Sequence, residues 1–193
     1  MSALNVEPGE YRWDGLVRIW EETDVPEGCT AQIIEGIITV TPPPSKAHNI
    51  IAAKVQRPLY GVIPDDVGIY QRLGVAIPSR QSLCVPDLVI APVSALRTPG
   101  YFIPADEAHL VAEITSPGTA SPDRTGKPAA YACAGVPLYL LIDGWAPGGP
   151  TVTLFAEPQG IYYRCHRAVK FGDPVTLPEP FGITLDTRTY PVC

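Results

Sequence analysis

Two apolar stretches of this chain carry a carboxylate where a hydrocarbon side chain would be expected. Glu113 lies inside Leu110-Val111-Ala112-Glu113-Ile114, and Asp87 follows Pro86 and precedes Leu88-Val89-Ile90. A third acid, Glu35, sits at the tip of Ile33-Ile34-Glu35-Gly36. These runs read as strands bound for a core. Burying an ionised carboxylate is expensive unless a cation, a metal or a hydrogen-bond donor compensates it. Two carboxylates on neighbouring strands repel each other unless something positive lies between them, and Mg2+ is the usual answer for oxygen-only ligands. Plainer accounts stand beside this one. Glu113 also suits an edge strand facing solvent, Asp87 a strand-start cap, and Glu35 a hairpin turn.

The strands themselves argue for a mixed architecture. Ala31 to Val40 reads as a hairpin with its turn at Glu35-Gly36, and Pro42-Pro43-Pro44 ends that unit. Ser45 is the N-cap expected for a helix over 46–60, with Ile50, Ile51 and Val55 as its apolar positions. A short amphipathic helix around Leu16–Trp20 precedes the hairpin. Strands are expected near 69–77, 84–91 and 109–115, with a Pro/Gly-rich loop over 92–106. A helix is expected over 121–134, with Ser121 as N-cap, Pro122 at its first position and Gly135 as its stop. Pro128 moves the regular part of that helix toward Thr125. A strand over 137–143, a hairpin from 151–156 and 160–169, and a proline-punctuated tail from 173 complete the order. Helices interleaved with strands and hairpins suit a mixed sheet flanked by helices.

Length and composition bound the rest. The 193 residues suit one domain spanning 1–193. Pro and Gly number 23 and 17, about a fifth of the chain, which predicts many loops without low complexity. No apolar run approaches the ~18 residues of a membrane span, and the opening MSALNVEPGE lacks the pattern of a secretory signal. Five scattered cysteines without C-x-x-C spacing fit a reduced, cytoplasmic protein better than a zinc site or a thiol catalyst.

The net charge of -6 speaks against a protein that coats nucleic acid. Its distribution is uneven. Residues 1–40 hold eight acids against Arg12 and Arg18, which accounts for the whole -6, whereas residues 45–81 hold five bases against Asp65 and Asp66, a local +3. A groove that holds a short stretch of nucleic acid is compatible with that balance.

Asp123, Lys127 and Tyr131 are spaced four apart, so they share one helix face. The bland account is a surface ion pair with Tyr131 half packed beneath it. The other account has this helix follow the Glu113 strand directly, so that its lysine leans over the strand ends. His48 suits either the site or a half-buried helix surface. Lys46, Arg72 and Arg80 are candidates for phosphate contacts, with solvated charge as the default. Trp13, Trp20 and Trp145 read as packing residues.

These pieces occur in an order that resembles the bacterial Uma family of restriction-endonuclease-like proteins, within the PD-(D/E)XK nuclease superfamily. The resemblance rests on Pro86-Asp87, Glu113-Ile114-Thr115-Ser116-Pro117, Asp123, Lys127, Tyr131, Gly135-Val136-Pro137-Leu138-Tyr139 and Ile142-Asp143. Upstream, Ile34-Glu35-Gly36-Ile37, the three prolines, Ser45 and His48 fit the same family, and the match runs from about residue 15 to 190. It implies a restriction-endonuclease-like α/β fold with a mixed β-sheet flanked by helices and additional hairpins. It also implies an endonuclease acting on phosphodiester bonds of DNA, with Mg2+ or Mn2+ held by Asp87 and Glu113. Glu35 would contribute a further acidic group and Lys127 would assist the attacking water. The superfamily's usual lysine position, two residues after the acid, is Thr115 here, so the resemblance moves that role to the following helix. A homodimer is compatible with the family type. The rival expectation is a catalytically inactive nuclease-fold module that binds nucleic acid or a protein partner.

Overall fold

The computed structural model describes residues 12–192, so that Glu7, Glu10 and Cys193 lie outside it. Helix α1 spans Trp13–Glu22 and is followed by the strands β1, Thr30–Ile34, and β2, Ile37–Thr41. Their register pairs Ile34 with Ile37, which leaves Glu35 and Gly36 as a two-residue loop. Both loop residues have positive φ, 49° and 82°, the left-handed pair that a tight hairpin requires.

Helix α2 spans Lys46–Leu59, and the Ser45 hydroxyl accepts from the His48 amide at 3.2 Å, as its capping role requires. Ile51, Ala52, Val55 and Leu59 form its buried stripe, each large one contributing about 1.5–3 kcal/mol. Ile50, expected on that stripe, faces solvent instead, because position 50 falls outside the 51, 55, 59 row.

The strand expected over 69–77 is two. β3 spans Val67–Tyr70 and β4 spans Gly74–Ile77, and Arg72 between them has φ of 58°, which turns the chain from one sheet to the other. β5, Ser82–Cys84, and β6, Leu88–Pro92, follow. The expected loop over 92–106 contains a short strand, β7, Phe102–Pro104, between single turns of 3-10 helix. β8 spans Leu110–Ile114.

The helix expected over 121–134 is broken. α3 covers Ala120–Arg124 and α4 covers Gly126–Cys133, with Thr125 between them at φ −125°. Pro128 explains the break: it cannot donate to the Arg124 carbonyl and its ring crowds that position, so it sits in the first turn of a new helix. Ser121 is therefore not the cap and Pro122 is not the first residue, since α3 already begins at Ala120. Gly135 ends α4 as expected. At φ 79° it allows Val136 N–H to reach the Tyr131 carbonyl and its own N–H to reach the Ala132 carbonyl, each at 3.0 Å.

β9, Leu138–Asp143, runs parallel to β8, and the long hairpin of β10, Thr151–Gln159, and β11, Tyr162–Lys170, extends the sheet. The pair β12, Val175–Thr176, and β13, Thr184–Leu185, closes the chain. One sheet has the order β11-β10-β9-β8-β6-β3 and the other β2-β1-β5-β4-β7.

Alternation along β8 divides the core. Leu110, Ala112 and Ile114 pack with the buried stripe of α2 and with the tail residues Val175, Leu177 and Phe181. Val111 points the other way, toward Tyr131 of α4, Val89 of β6 and Val75 of β4. Glu113 is on the Val111 side by the same two-residue period. β8 is a central strand, flanked by β9 and β6, so the edge-strand account of Glu113 does not hold. Among the described residues no helix is long and apolar enough to cross a membrane.

Candidate active site

The antiparallel register of β6 and β8 pairs Leu88 with Ala112 and Val89 with Val111. One step further outward the same register sets Asp87 opposite Glu113, and residues directly opposite in an antiparallel pair share a face. The two carboxylates thus stand side by side at the end of this strand pair. Asp87 is fixed by two contacts: Oδ2 accepts from the Ile114 amide at 2.7 Å, and Oδ1 lies 2.7 Å from His48 Nε2. His48 reaches it from the first turn of α2, whose start the Ser45 cap fixes.

Glu113 meets α4. Its Oε1 accepts from Lys127 Nζ at 2.7 Å and from the Tyr131 hydroxyl at 3.0 Å, and all three side chains are buried. Lys127 Nζ also lies 2.8 Å from Asp123 Oδ1. Lys127 is thus the counter-charge of this buried carboxylate. Two carboxylates, Glu113 and Asp123, therefore share a single ammonium, and Asp87 is paired separately with His48.

The electrostatic consequences follow from burial. Desolvation raises the Glu113 pKa above its ordinary 4.5; Lys127 opposes this, while Asp123 and Asp87 add to it. Desolvation pulls the other way on Lys127, but Glu113 and Asp123 outweigh it and hold the ammonium well above its ordinary range. Behind this cluster, burial pushes the Cys84 thiol up to about 12, which makes it an unreactive packing residue.

A neighbouring network shapes the strand ends. Thr115, in the usual lysine position, donates its hydroxyl to Asp143 Oδ1 at 2.9 Å. Arg124 of α3 grips Asp143 through Nε at 2.7 Å and a second nitrogen at 3.0 Å, and the Trp145 amide donates to it at 3.0 Å. Burial alone would raise the Asp143 pKa, but these donors hold it below the ordinary value.

A cleft of about 840 Å3 opens over these residues. Asp87, Glu113, Lys127 and His48 line it, together with the Ser116-Pro117-Gly118-Thr119 loop. Lys46 and Arg72, two of the bases singled out for phosphate, also reach it.

Of the four site residues expected from the sequence, the fold brings Asp87, Glu113 and Lys127 together. It does not bring Glu35. That side chain remains at the exposed hairpin tip, pairs with Arg80 and lies outside the cleft lining. One contribution escapes the sequence reading, and a second is left open by it. Asp123 reads as a surface partner of Lys127, but it is buried, because α3 packs its face inward against β9. His48 carries a legible signal, a histidine in the first turn of a capped helix, yet its partner Asp87 is too distant in sequence to identify. Trp145, expected as packing, is 43% exposed at the cleft edge.

Among the described residues no group of three or more His, Cys, Asp or Glu side chains forms a metal cage. A hard cation such as Mg2+ requires none, since it keeps several waters and takes one or two carboxylates plus substrate phosphate oxygens. Adjacent Asp87 and Glu113 fit that donor pattern. Glu113 Oε2 is engaged by neither Lys127 nor Tyr131, which leaves it open to a further partner.

The protein is similar to a structure titled "Crystal structure of a putative nuclease belonging to DUF820" from Anabaena variabilis ATCC 29413, with 18% identity and a TM-score of 0.67 over 92% of this chain and 96% of that one. At that identity the likeness concerns the fold. No curated protein matches the chain. Residues 17–188 match the Uma2 family profile, described as "Putative restriction endonuclease", and cover nearly all of the strands and helices set out above; the chain belongs to that family.

Proposed function

We propose that this cleft hydrolyses phosphodiester bonds of DNA with a divalent cation, Mg2+ or Mn2+, held by Asp87 and Glu113. The observation that carries the reading is that Asp87, just before β6, and Glu113 of β8 line one cleft, with the Lys127 ammonium 2.7 Å from Glu113. When bound, such a cation supplies a water acidified toward neutral pH and neutralises charge on the phosphate.

The chain's own groups account for the rest. Asp87, held by the Ile114 amide and by His48, keeps its orientation without a rearrangement at the moment of reaction. Lys127 stays an ammonium, so it acts as a donor that orients water or steadies charge on a phosphate oxygen, not as a base. Its position on α4 supplies from a helix what a lysine at position 115 would supply from the strand. Lys46 and Arg72 give the cleft the positive charge that a phosphate backbone needs.

Plasmid nicking tests this. Wild-type protein should nick with Mg2+ or Mn2+ and not in chelator, and Asp87→Ala or Glu113→Ala should abolish the activity. Cleavage that survives both substitutions would place it at another site. Binding without any cleavage of DNA or RNA would favour the inactive module.

A further inference from the structure

A second pocket of about 480 Å3 adjoins the cleft, and Thr30, Arg72 and Val85 line both. Val85 is two residues from Asp87, so the pocket begins within about 7 Å of extended chain from the proposed reaction site. Two aromatic side chains, Trp20 and Tyr101, stand in its wall. Trp20 is pinned by donating from Nε1 to the Ala31 carbonyl at 2.9 Å. Tyr101 stands edge-on to it, with centroids 6.4 Å apart and planes at 69°, yet remains 69% exposed. Tyr101 is drawn close by Gly74, whose amide donates to the Tyr101 carbonyl at 3.0 Å. A Cβ at Gly74 would come within 2.9 Å of that carbonyl oxygen and 2.7 Å of Phe102 Cβ, so a side chain there would displace this wall.

We propose that this pocket receives an unpaired nucleobase of the strand whose phosphate lies in the cleft, a substrate class that rests on the hydrolase reading above. An exposed aromatic face is a stacking platform for any base. Arg72 stands where the two pockets meet, its guanidinium braced by the Cys29 carbonyl at 3.2 Å and the Thr30 hydroxyl at 2.8 Å, where it can meet the intervening phosphate. Glu21, the acid among the lining residues, would repel a phosphate but can accept from the N–H edge of a base. The polarity therefore places the sugar-phosphate chain on the Arg72 side and the base on the Trp20–Tyr101 side. A paired base cannot enter, because its edge and faces are already occupied within the duplex.

The test uses the Asp87→Ala chain, so that binding is read without cleavage, and oligonucleotides carrying 2-aminopurine, single-stranded and in duplex. The single strand should bind more tightly than the duplex, with fluorescence quenched on binding. Tyr101→Ala should lower single-strand affinity about tenfold and remove the quench. Arg72→Ala should weaken both forms and reduce the salt slope by about one. Duplex binding as tight as single-strand binding, or Tyr101→Ala binding within about twofold of its parent, would overturn the proposal, since a stacked base contributes more than that. The two readings fail separately. A chain that shows this binding pattern but cleaves nothing keeps the base pocket and loses the hydrolase, whereas one that nicks DNA without regard to Tyr101 does the reverse.

Discussion

Lys127 Nζ and Glu113 Oε1 lie 2.7 Å apart, a contact that joins the inner strand β8 to helix α4. Both side chains are buried, and Asp123 closes on the same nitrogen at 2.8 Å. Removing the ammonium would leave two buried carboxylates without a counter-charge. Lys127→Met, which keeps much of the volume, should therefore destabilise the protein by about 3–5 kcal/mol in urea unfolding. Adding Glu113→Gln should recover part of that loss, so the double variant falls well short of the sum of the single effects.

The raised Glu113 pKa has a defined sign. Between its ordinary 4.5 and the higher folded value, the native state holds a proton that the unfolded chain has released. Stability should then fall as pH rises through that window, and Glu113→Gln should flatten the slope. Lys127 contributes no slope there. Its raised pKa stabilises fully below 10.5 and is lost only in strongly alkaline solution. Because a divalent cation prefers the ionised carboxylate, Mn2+ affinity should rise with pH over the same window, and calorimetry in two buffers should record proton release.

Much of this site was legible because strand physics is local. Glu113 among apolar neighbours and Asp87 before another apolar run already require a compensating charge, whatever their partners. The pairing itself was not legible. It depends on a register between β6 and β8 that only the folded sheet fixes. Asp123 misled for a related reason: an i,i+4 acid-lysine pair reads as solvated surface, and only the packing of α3 against β9 buries it. Helix boundaries around Pro122 and Pro128 slipped because two prolines compete to start a helix and the chain made two. Glu35 shows the opposite failure. Its positive φ of 49° serves the turn, and the plain account of a hairpin residue suffices for its place in the fold.

That placement predicts what Glu35 substitutions do. Glu35→Gly meets the left-handed backbone without a side-chain penalty, and the pairing with Arg80 involves a Glu35 side chain 56% exposed. The loss of such a pair changes stability by about 0–1 kcal/mol. Glu35→Gly should therefore unfold within about that range of wild type and should still nick plasmid with Mg2+, in contrast to Asp87→Ala and Glu113→Ala.

Asp143 supports the strand end through Thr115, Arg124 and the Trp145 amide. Its pKa is lowered, so its contribution is present above the ordinary 3.8 and is lost as pH falls through the folded value. Asp143→Ala leaves a buried threonine hydroxyl without its acceptor and frees an arginine that is 30% exposed. A loss of about 1–3 kcal/mol is expected near neutral pH, shrinking in strong acid. Urea unfolding at two pH values checks both the size and the trend.

His48 reaches Asp87 from another element, 2.7 Å from Oδ1, while the Ile114 amide holds Oδ2. If Asp87 holds a cation, His48 is a positioning residue for that ligand. Loss of such an outer partner typically weakens metal affinity or activity about 10–100-fold. His48→Ala should show that loss in Mn2+ titration calorimetry while its thermal unfolding in chelator stays close to wild type. His48→Gln carries a nitrogen donor at a similar reach and should restore most of the affinity. Equal Mn2+ binding by wild type and His48→Ala would confine this histidine to packing at the start of α2.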